Sequence, residues 1–356
     1  MKNLTLILLC IMHCALCFQT NAQTSVLPFD AKKDYLNGIV YSLPKNQINI
    51  TITARCTIEK PGPFYQYAER YLATKEIITT NNENWEIEDI KIHTTAIPDP
   101  NRTFQVAIDN KGIANNITYY HNNIIAGINI QPDSCFKHNN SQSATLNSQT
   151  NNYSLNFDYT VLNEDALVAT SIPKMAEMVA RQIYHIRESR TALLSADLEQ
   201  LPDGEALKQM LARLDHNEAE LVAFFVGKTT SYTVTKTYTV TPEDNLNDYV
   251  IARISTNEGL TEAGNVIGEP IYLNIKGTYY NAPFADPKQE KAPKGFYYNV
   301  PGEALITVDY DGIHHTATLP IAQFGYTTPL SAILTNNKTT RITFNPELGT
   351  IIKIEK

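Results

Sequence analysis

The chain has 356 residues, of which 29 are basic and 37 acidic, and its formal net charge is −8. This acidic balance argues against nucleic acid as a partner, because nucleic-acid affinity comes mainly from cationic contacts with phosphates. The length is more than one ordinary hydrophobic core requires, and it allows two domains.

Residues 1–22 show the three regions of a secretory signal peptide. Lys2 precedes an apolar run over residues 4–18, and Thr20 and Ala22 occupy the third and first positions before a cleavage site. The run is shorter than the roughly 20 apolar residues of a membrane-spanning helix, and no later segment is apolar enough to span a bilayer. We therefore expect an exported protein, periplasmic or associated with the cell surface, with no transmembrane segment in its mature chain.

Three of the five cysteines lie in this leader, and each follows a leucine or a histidine, as Cys17 follows Leu16. Lipoprotein signals place a small residue before the modified cysteine, so the pattern argues against a lipid anchor. Cys56 and Cys135 remain, and an even pair in an oxidising compartment is a candidate disulfide. It would close a loop of about 80 residues and contribute about 4 kcal/mol. The alternatives are two buried free thiols or a nucleophile formed by Cys135 and His138.

Residues 23–160 are predicted to be a β-rich domain. Isoleucine alternates with polar residues over 47–60, which is the period-two pattern of a half-buried strand. A Pro-Gly-Pro break at 61–63 precedes a short helix predicted near 63–74. Two further strands and one polar loop are predicted at 84–98, 102–110 and 137–154.

Residues 161–227 change to a helical pattern. Apolar side chains recur at intervals of three or four residues over 171–196 and again over 206–227. Gly227 suits the end of the second helix. Two helices joined by a short acidic loop predict an antiparallel helical hairpin.

The remaining region, 228–356, returns to strand patterns, with strict alternation over 229–241. Asp311-Gly312 between two alternating runs is the typical signal of a type I′ hairpin. The predicted fold class is therefore α+β: two β-rich regions, sandwich-like or barrel-like, with a helical hairpin between them. Further strands are predicted at 249–256, 271–280 and 340–356.

The stretch after the Pro-Gly-Pro break offers one candidate contact surface. If a helix begins near Pro63, four apolar or aromatic residues share one face, which favours docking of the helix on a sheet. Tyr65, Glu69 and Arg70 fall on the other faces, and tyrosine and arginine dominate protein interfaces. A contact surface is therefore the alternative interpretation. The four residues on the predicted docking face are Phe64, Tyr67, Ala68 and Tyr71.

A second candidate surface is the loop over 276–299, which is rich in proline and glycine and is flanked by paired tyrosines. Tyr279 and Tyr297 could stack on sugar rings there. The alternative is that these pairs flank a hairpin, with one ring buried and one exposed.

Motifs of known catalytic or metal sites are missing from the sequence. His314 and His315 are neighbours in a predicted strand and point to opposite faces, so they cannot bind one ion together. A calcium loop beginning at Asp244 fails because Leu246 occupies its third position. We therefore predict no catalytic residue, no metal ion and no cofactor.

Five segments occur in a characteristic order: YSLPKNQINITI, PGPFYQYAERYL, LPDGEALKQML, FYYNVPGEALITVDYDG and LPIAQFG. Together they resemble a family of exported Bacteroidetes proteins known as a domain of unknown function. The resemblance extends over nearly the whole mature chain. It implies a bacterial source and a location in the cell envelope, and it implies no catalytic residues.

These features favour a non-enzymatic structural or protein-interaction module of the envelope, whose partner is an envelope protein or a polysaccharide. One alternative is a carbohydrate-binding module, which predicts coplanar exposed rings. The other is a hydrolase acting on envelope or dietary polymers. A hydrolase predicts a deep cleft with two convergent carboxylates or a histidine with a partner.

Overall fold

A computed structural model describes residues 38–107, 117–120, 123–130, 155–195, 204–282, 296–330 and 339–356. The predicted signal peptide, Cys135 and the polar loop over 137–154 lie outside these residues.

The described residues form twelve strands and four α-helices. The strands are β1 Gly38–Lys60, β2 Asn82–Ala107, β3 Ile117–Tyr119, β4 Ile125–Ile128, β5 Lys228–Val240, β6 Leu246–Ser255, β7 Gly259–Glu262, β8 Glu269–Thr278, β9 Tyr297–Tyr310, β10 Ile313–Pro329, β11 Arg341–Phe344 and β12 Ile351–Glu355. The helices are α1 Ala68–Leu72, α2 Glu164–Leu167, α3 Ile172–Leu194 and α4 Gly204–Val226.

The strands form three antiparallel sheets. Sheet I has the order β2-β1-β5, sheet II the order β10-β9-β8-β6-β7, and sheet III the order β12-β11-β4-β3. The helices α3 and α4 follow sheet III's β4 and precede β5 along the chain. The predicted β-rich fold, with a helical hairpin between β regions, is therefore confirmed.

The main core lies between sheets I and II. Ile48, Ile50 and Ile52 of β1 are fully buried there, as their alternation with polar residues predicts. β1 has 23 residues, which is about 75 Å of extended chain, and its first residues, including Tyr41, belong to a second core with sheet III. Because β1 pairs with β5 from Ile48 to Lys60, strands from the two predicted β-rich domains share one sheet and one core. The predicted domain boundaries themselves stay predictions.

The aromatic segment after Gly62 packs against the helical hairpin. Phe64 is buried with its ring 5.7 Å from Phe224 and 5.5 Å from Phe225, and its N–H donates to the carbonyl oxygen of Phe224 at 2.8 Å. A Cβ atom at Gly62 would lie 2.3 Å from that oxygen, so only glycine permits this approach. The expectation that this helix docks on a sheet is wrong, because Phe64 packs on the last residues of α4 and the carbonyl oxygen of Tyr71 accepts from the hydroxyl of Tyr184 on α3. The predicted docking face itself is found, since Ala68 is buried beside Phe64.

Helix α4 ends where Gly227 adopts a φ of 96° and donates its N–H to the carbonyl oxygen of Ala223 at 2.9 Å. Glycine is the usual residue at this left-handed position, so the predicted helix end is confirmed. Along the described ranges, no helix has a stretch of apolar residues sufficient to cross a membrane.

Candidate functional site

The outer face of sheet II carries a polar groove of about 610 Å³. It crosses β6, β8, β9 and β10 because residues at every second position of these strands point away from the core. On β8, for example, Leu273 and Ile275 are fully buried while Asn274 between them faces the groove. The residues that line it are Asn247, Asp248, Asn274, Lys276, Leu305, Thr307, Asp309, His314 and Thr316.

A chain of hydrogen bonds connects the four strands across this groove. The backbone N–H of Asp248 donates to Asn274 Oδ1 at 2.8 Å, and Asn274 Nδ2 donates to Asp309 Oδ2 at 2.8 Å. The other oxygen of Asp309 accepts from Nδ1 of His314. Each of the four residues belongs to a different strand, so the sheet itself fixes their relative positions.

The Asp309–His314 pair determines which ring nitrogen is free. Because an ionised carboxylate only accepts hydrogen bonds, Nδ1 of His314 carries a proton in this pair, and Nε2 is the ring nitrogen left for a ligand. The side chain of His314 is 66% exposed, whereas that of Asp309 is 23% exposed. The more buried Asp309 therefore orients the ring of His314, and the exposed side of this ring is accessible to a ligand in the groove.

Backbone strain marks the β6 side of the groove. Asp248 has a φ of 49°, in the left-handed region that residues with a side chain seldom adopt. Register shifts interrupt the β6–β8 pairing between Leu246 and Tyr249 and again between Val250 and Ala252. Such bulges re-aim side chains and are frequent beside functional sites. Here they bring the N–H of Asp248 to Asn274.

The groove combines several kinds of polar group with one aliphatic side chain. Lys276 supplies a cation, Asp248 and Asp309 supply carboxylates, and Leu305 is 43% exposed. Within the described ranges, no three His, Cys, Asp or Glu side chains are placed to hold a metal ion. The arrangement can both donate to and accept from a ligand rich in hydroxyl groups.

Cys56 is fully buried on β1, and none of the described residues forms a disulfide with it. Its Sγ donates to Glu83 Oε1 at 3.5 Å, and the indole N–H of Trp85 donates to the same oxygen at 3.1 Å. Burial raises the pKa of the Cys56 thiol, which disfavours the nucleophilic thiolate. The disulfide to Cys135 stays a prediction, since that residue lies outside the described ranges.

The predicted contact residues before and within α1 face away from the hairpin core. The Tyr65 hydroxyl accepts from Gln66 Nε2 at 3.3 Å. Glu69 forms an exposed ion pair with Lys75, with 3.6 Å between Oε1 and Nζ. The guanidinium group of Arg70 lies over the ring of Tyr71. A contact surface formed by Tyr65, Glu69 and Arg70 stays a prediction.

The two predicted sugar-stacking tyrosines rest on different supports. Tyr279 is 44% exposed and its ring lies 4.9 Å from that of Phe324. Tyr297 is half-buried and stacks on Phe104 with 4.5 Å between ring centroids and 9° between planes. Its N–H also donates to the hydroxyl of Tyr41 at 2.6 Å. Neither tyrosine lines the polar groove, and their predicted role in sugar binding stays a prediction.

Sequence reasoning missed the groove, although one signal for it was available. A two-residue turn at Asp311-Gly312 places residue 309 opposite residue 314, and these two residues pair in the sheet. The φ angles of 48° and 74° in the turn are both positive, as a type I′ turn requires. The Asp309–His314 pair could thus have been predicted. Asn274 could not, because the pairing of β8 with β9 is not local.

Comparison with known proteins places the chain in a family. No curated protein and no solved structure matches it. A family model described as a domain of unknown function (DUF4831) matches residues 37–352. This match includes β1, the helical hairpin and the strands that build the groove. The chain therefore belongs to the family defined by this domain of unknown function, DUF4831.

Proposed function

We propose that the chain is exported to the cell envelope and acts there as a non-enzymatic interaction module whose polar groove binds polysaccharide. The signal-peptide pattern over 1–22 and the resemblance to exported Bacteroidetes proteins support the location. The lack of a catalytic motif in the sequence supports a binding role.

The observation that carries the binding proposal is the hydrogen-bonded chain from Asp248 through Asn274 and Asp309 to His314. It fixes donors and acceptors on strands before a ligand arrives, which lowers the ordering cost of binding. Sugar hydroxyls donate and accept at once, and the amide, carboxylate and imidazole groups of the groove match both roles. The C–H face of a sugar ring can rest on Leu305.

Of the two predicted partners, the groove favours polysaccharide over an envelope protein. The centres of protein interfaces are depleted of charged side chains, whereas Lys276, Asp309 and Asp248 line this groove together. Apart from His314, the groove has two carboxylates, of Asp248 and Asp309, and one ammonium group, of Lys276. We therefore expect it to prefer a neutral glycan to an acidic one.

The test is electrophoresis of the mature chain through gels that contain a neutral β-glucan, a neutral α-glucan or a polygalacturonate. We expect retardation in at least one neutral gel, and at least about tenfold weaker affinity for Asp309→Asn. Asp311→Asn is the matched control, because it removes the same charge two residues away in the exposed hairpin turn. Equal retention of both variants, or no retention in any gel, would overturn the proposal.

The Asp309–His314 pair also supports the hydrolase alternative, because a carboxylate that orients a histidine is a recurring feature of general-base catalysis. Release of new reducing ends from the retained polysaccharide measures this directly. A hydrolase at this groove would lose turnover in His314→Gln and keep much of its retention in the gel. If the protein is a binding module, neither the unsubstituted chain nor His314→Gln would release reducing ends.

A further inference from the structure

Strand β5 forms one edge of sheet I along its whole length of 13 residues. It pairs with β1 from Lys228–Lys60 to Val240–Ile48 with no register shift. Of the described strands, only β1 pairs with it. In an antiparallel ladder every second residue points its N–H and C=O groups to the other side. The outer edge of β5 is therefore a continuous row of backbone donors and acceptors.

The other long edges carry devices that oppose further pairing. β2 contains Pro98 and Pro100 and has register shifts, and β10 contains Pro320 and a bulge after Ile321. Proline, bulges and outward lysines are the usual protections of a sheet edge. β5 has neither proline nor glycine nor a bulge.

The two lysines of β5 are also held away from its edge. Lys236 Nζ donates to the carbonyl oxygen of Leu260 at 2.7 Å, beneath the sheet. Lys228 Nζ donates to Glu220 Oε2 at 2.7 Å, on helix α4. Neither ammonium group is thus available to repel an approaching strand, and among the described residues no backbone group other than those of β1 hydrogen-bonds to the backbone of β5.

We propose that β5 pairs antiparallel with β5 of a second copy of this chain, so that two copies of sheet I form one six-stranded sheet. A two-fold axis at Val234 places Val234 of one copy opposite Val234 of the other. The same axis places Thr233 of each copy opposite Thr235 of the other. On the inner face the same axis places Lys236 opposite Tyr232. β5 contains no acidic residue, so this register sets no like charges opposite each other.

The exposed face of β5 supports this occupant. Thr237 and Thr235 lie with their hydroxyl oxygens 3.0 Å from those of Thr51 and Thr53 on β1. A hydroxyl group donates and accepts, so each can join a second one. In the proposed register, every exposed Thr or Ser of β5 from 229 to 239 faces another Thr or Ser. Cross-strand threonine pairs stabilise antiparallel sheets, and the ladder would continue from β1 across both copies of β5.

The proposal is tested by sedimentation of the mature chain over a concentration series spanning the micromolar range. We expect a reversible monomer–dimer equilibrium. Thr233→Glu with Thr235→Glu sets carboxylates opposite each other across the axis, which disfavours the pair, and should weaken dimerisation at least about tenfold. Both side chains are exposed, so the monomer should still fold. The matched control, Thr51→Glu with Thr53→Glu, adds the same charges one strand further from the edge and should keep the dimer.

Amide hydrogen exchange gives an independent readout. In a monomer, alternate amides of β5 are open to solvent, so they should exchange quickly at low concentration and become protected at high concentration. A chain that stays monomeric throughout the series would overturn the proposal. So would a dimer that the β5 glutamates leave intact, or one in which protection of β5 amides does not depend on concentration.

Discussion

Gln323 pairs in both directions with the backbone of Asn46. Its side-chain oxygen accepts from the Asn46 N–H at 2.9 Å, and its Nε2 donates to the Asn46 carbonyl at 2.7 Å. The pairing of β5 with β1 begins only at Ile48. At Asn46, two residues earlier on β1, the side chain of Gln323 makes the hydrogen bonds that a neighbouring strand would otherwise make. Gln323 lies in the LPIAQFG segment, within the bulge between β9 and β10. The LPIAQFG segment is therefore a joint between sheets I and II.

Replacing Gln323 by alanine should lower the free energy of unfolding by about 2–6 kcal/mol. The fully buried Asn46 would be left with an unpaired N–H and carbonyl, and unpaired buried groups cost about 1–3 kcal/mol each. Urea unfolding followed by the fluorescence of Trp85, the sole tryptophan, measures the change. Gln209→Ala, exposed on α4, is the control and should change stability by less than about 0.5 kcal/mol. Equal effects of both substitutions would contradict the role of the joint.

Phe64→Ala should cost about 3–5 kcal/mol, the usual range for removing a buried phenylalanine ring. The loss should appear first in the helical signal, because Phe64 packs on Phe224 and Phe225 at the end of α4. Thermal unfolding followed by circular dichroism measures both effects. The adjacent Tyr65→Ala provides the comparison, since Tyr65 is half-buried and outside the core cluster.

Tyr65→Ala should change stability by less than about 1 kcal/mol, so it can also be used to test the predicted contact surface. The unsubstituted protein and Tyr65→Ala are compared by cross-linking in intact cells, followed by recovery of the tagged protein. Loss of a cross-linked envelope protein with folded Tyr65→Ala would support that surface. Comparable destabilisation by Phe64→Ala and Tyr65→Ala would instead contradict the docking described for Phe64.

The local features of this fold were predictable, and the long-range ones were not. Alternation identified the buried face at Ile48 and Ile50, and Asp311-Gly312 identified a hairpin turn, because each pattern reflects neighbouring residues. The alternation of apolar and polar residues in a strand does not indicate which other strand pairs with it. The pairing of β1 with β5 therefore had no signal in the sequence. The candidate site could not be predicted for the same reason, because Asn274 and Asp309 come together only through the non-local pairing of β8 with β9.

Asp248→Gly should stabilise the fold and weaken the proposed ligand binding. The φ of 49° is strained for aspartate and free of strain for glycine. Relief of about 1–2 kcal/mol of strain exceeds the roughly 0.5–1 kcal/mol that the added freedom of the unfolded chain costs, so we expect a net gain of up to about 1 kcal/mol in unfolding free energy. Loss of the carboxylate from the groove should reduce retention in polysaccharide gels. Urea unfolding and gel retention, measured on the same preparation, check the two effects.

The neighbouring Asn247→Gly is the control for the stability effect. Asn247 has no positive φ among the described residues, so glycine there only adds freedom to the unfolded chain and should destabilise the fold by about 0.5–1 kcal/mol. Opposite signs for the two glycine variants are the expected result. A destabilised Asp248→Gly would show that the carboxylate, rather than the strained backbone, dominates at this position.

The ion pairs of the helical hairpin should make its stability depend on pH. Glu218 is 14% exposed, and its Oε1 lies 2.7 Å from Nε of Arg187. Burial raises the pKa of Glu218, but hydrogen bonds and charge interactions with Arg187 and Arg190 outweigh it and lower the pKa below the ordinary 4.5. A carboxylate whose pKa is lowered by folding stabilises the fold above its unfolded pKa. That contribution is lost as the pH falls through the folded pKa.

Glu218→Gln should therefore reduce the free energy of unfolding near neutral pH and have little effect in strongly acidic solution. The expected difference at neutral pH is of the order of 1–3 kcal/mol, since the half-buried Arg187 and Arg190 lose a charged partner. Urea unfolding at a series of pH values from neutral to below 4 measures it. Glu205→Gln, exposed in the first turn of α4, serves as the control. If the effect of Glu218→Gln stayed constant across the series, ionisation of Glu218 would not be what holds α3 against α4.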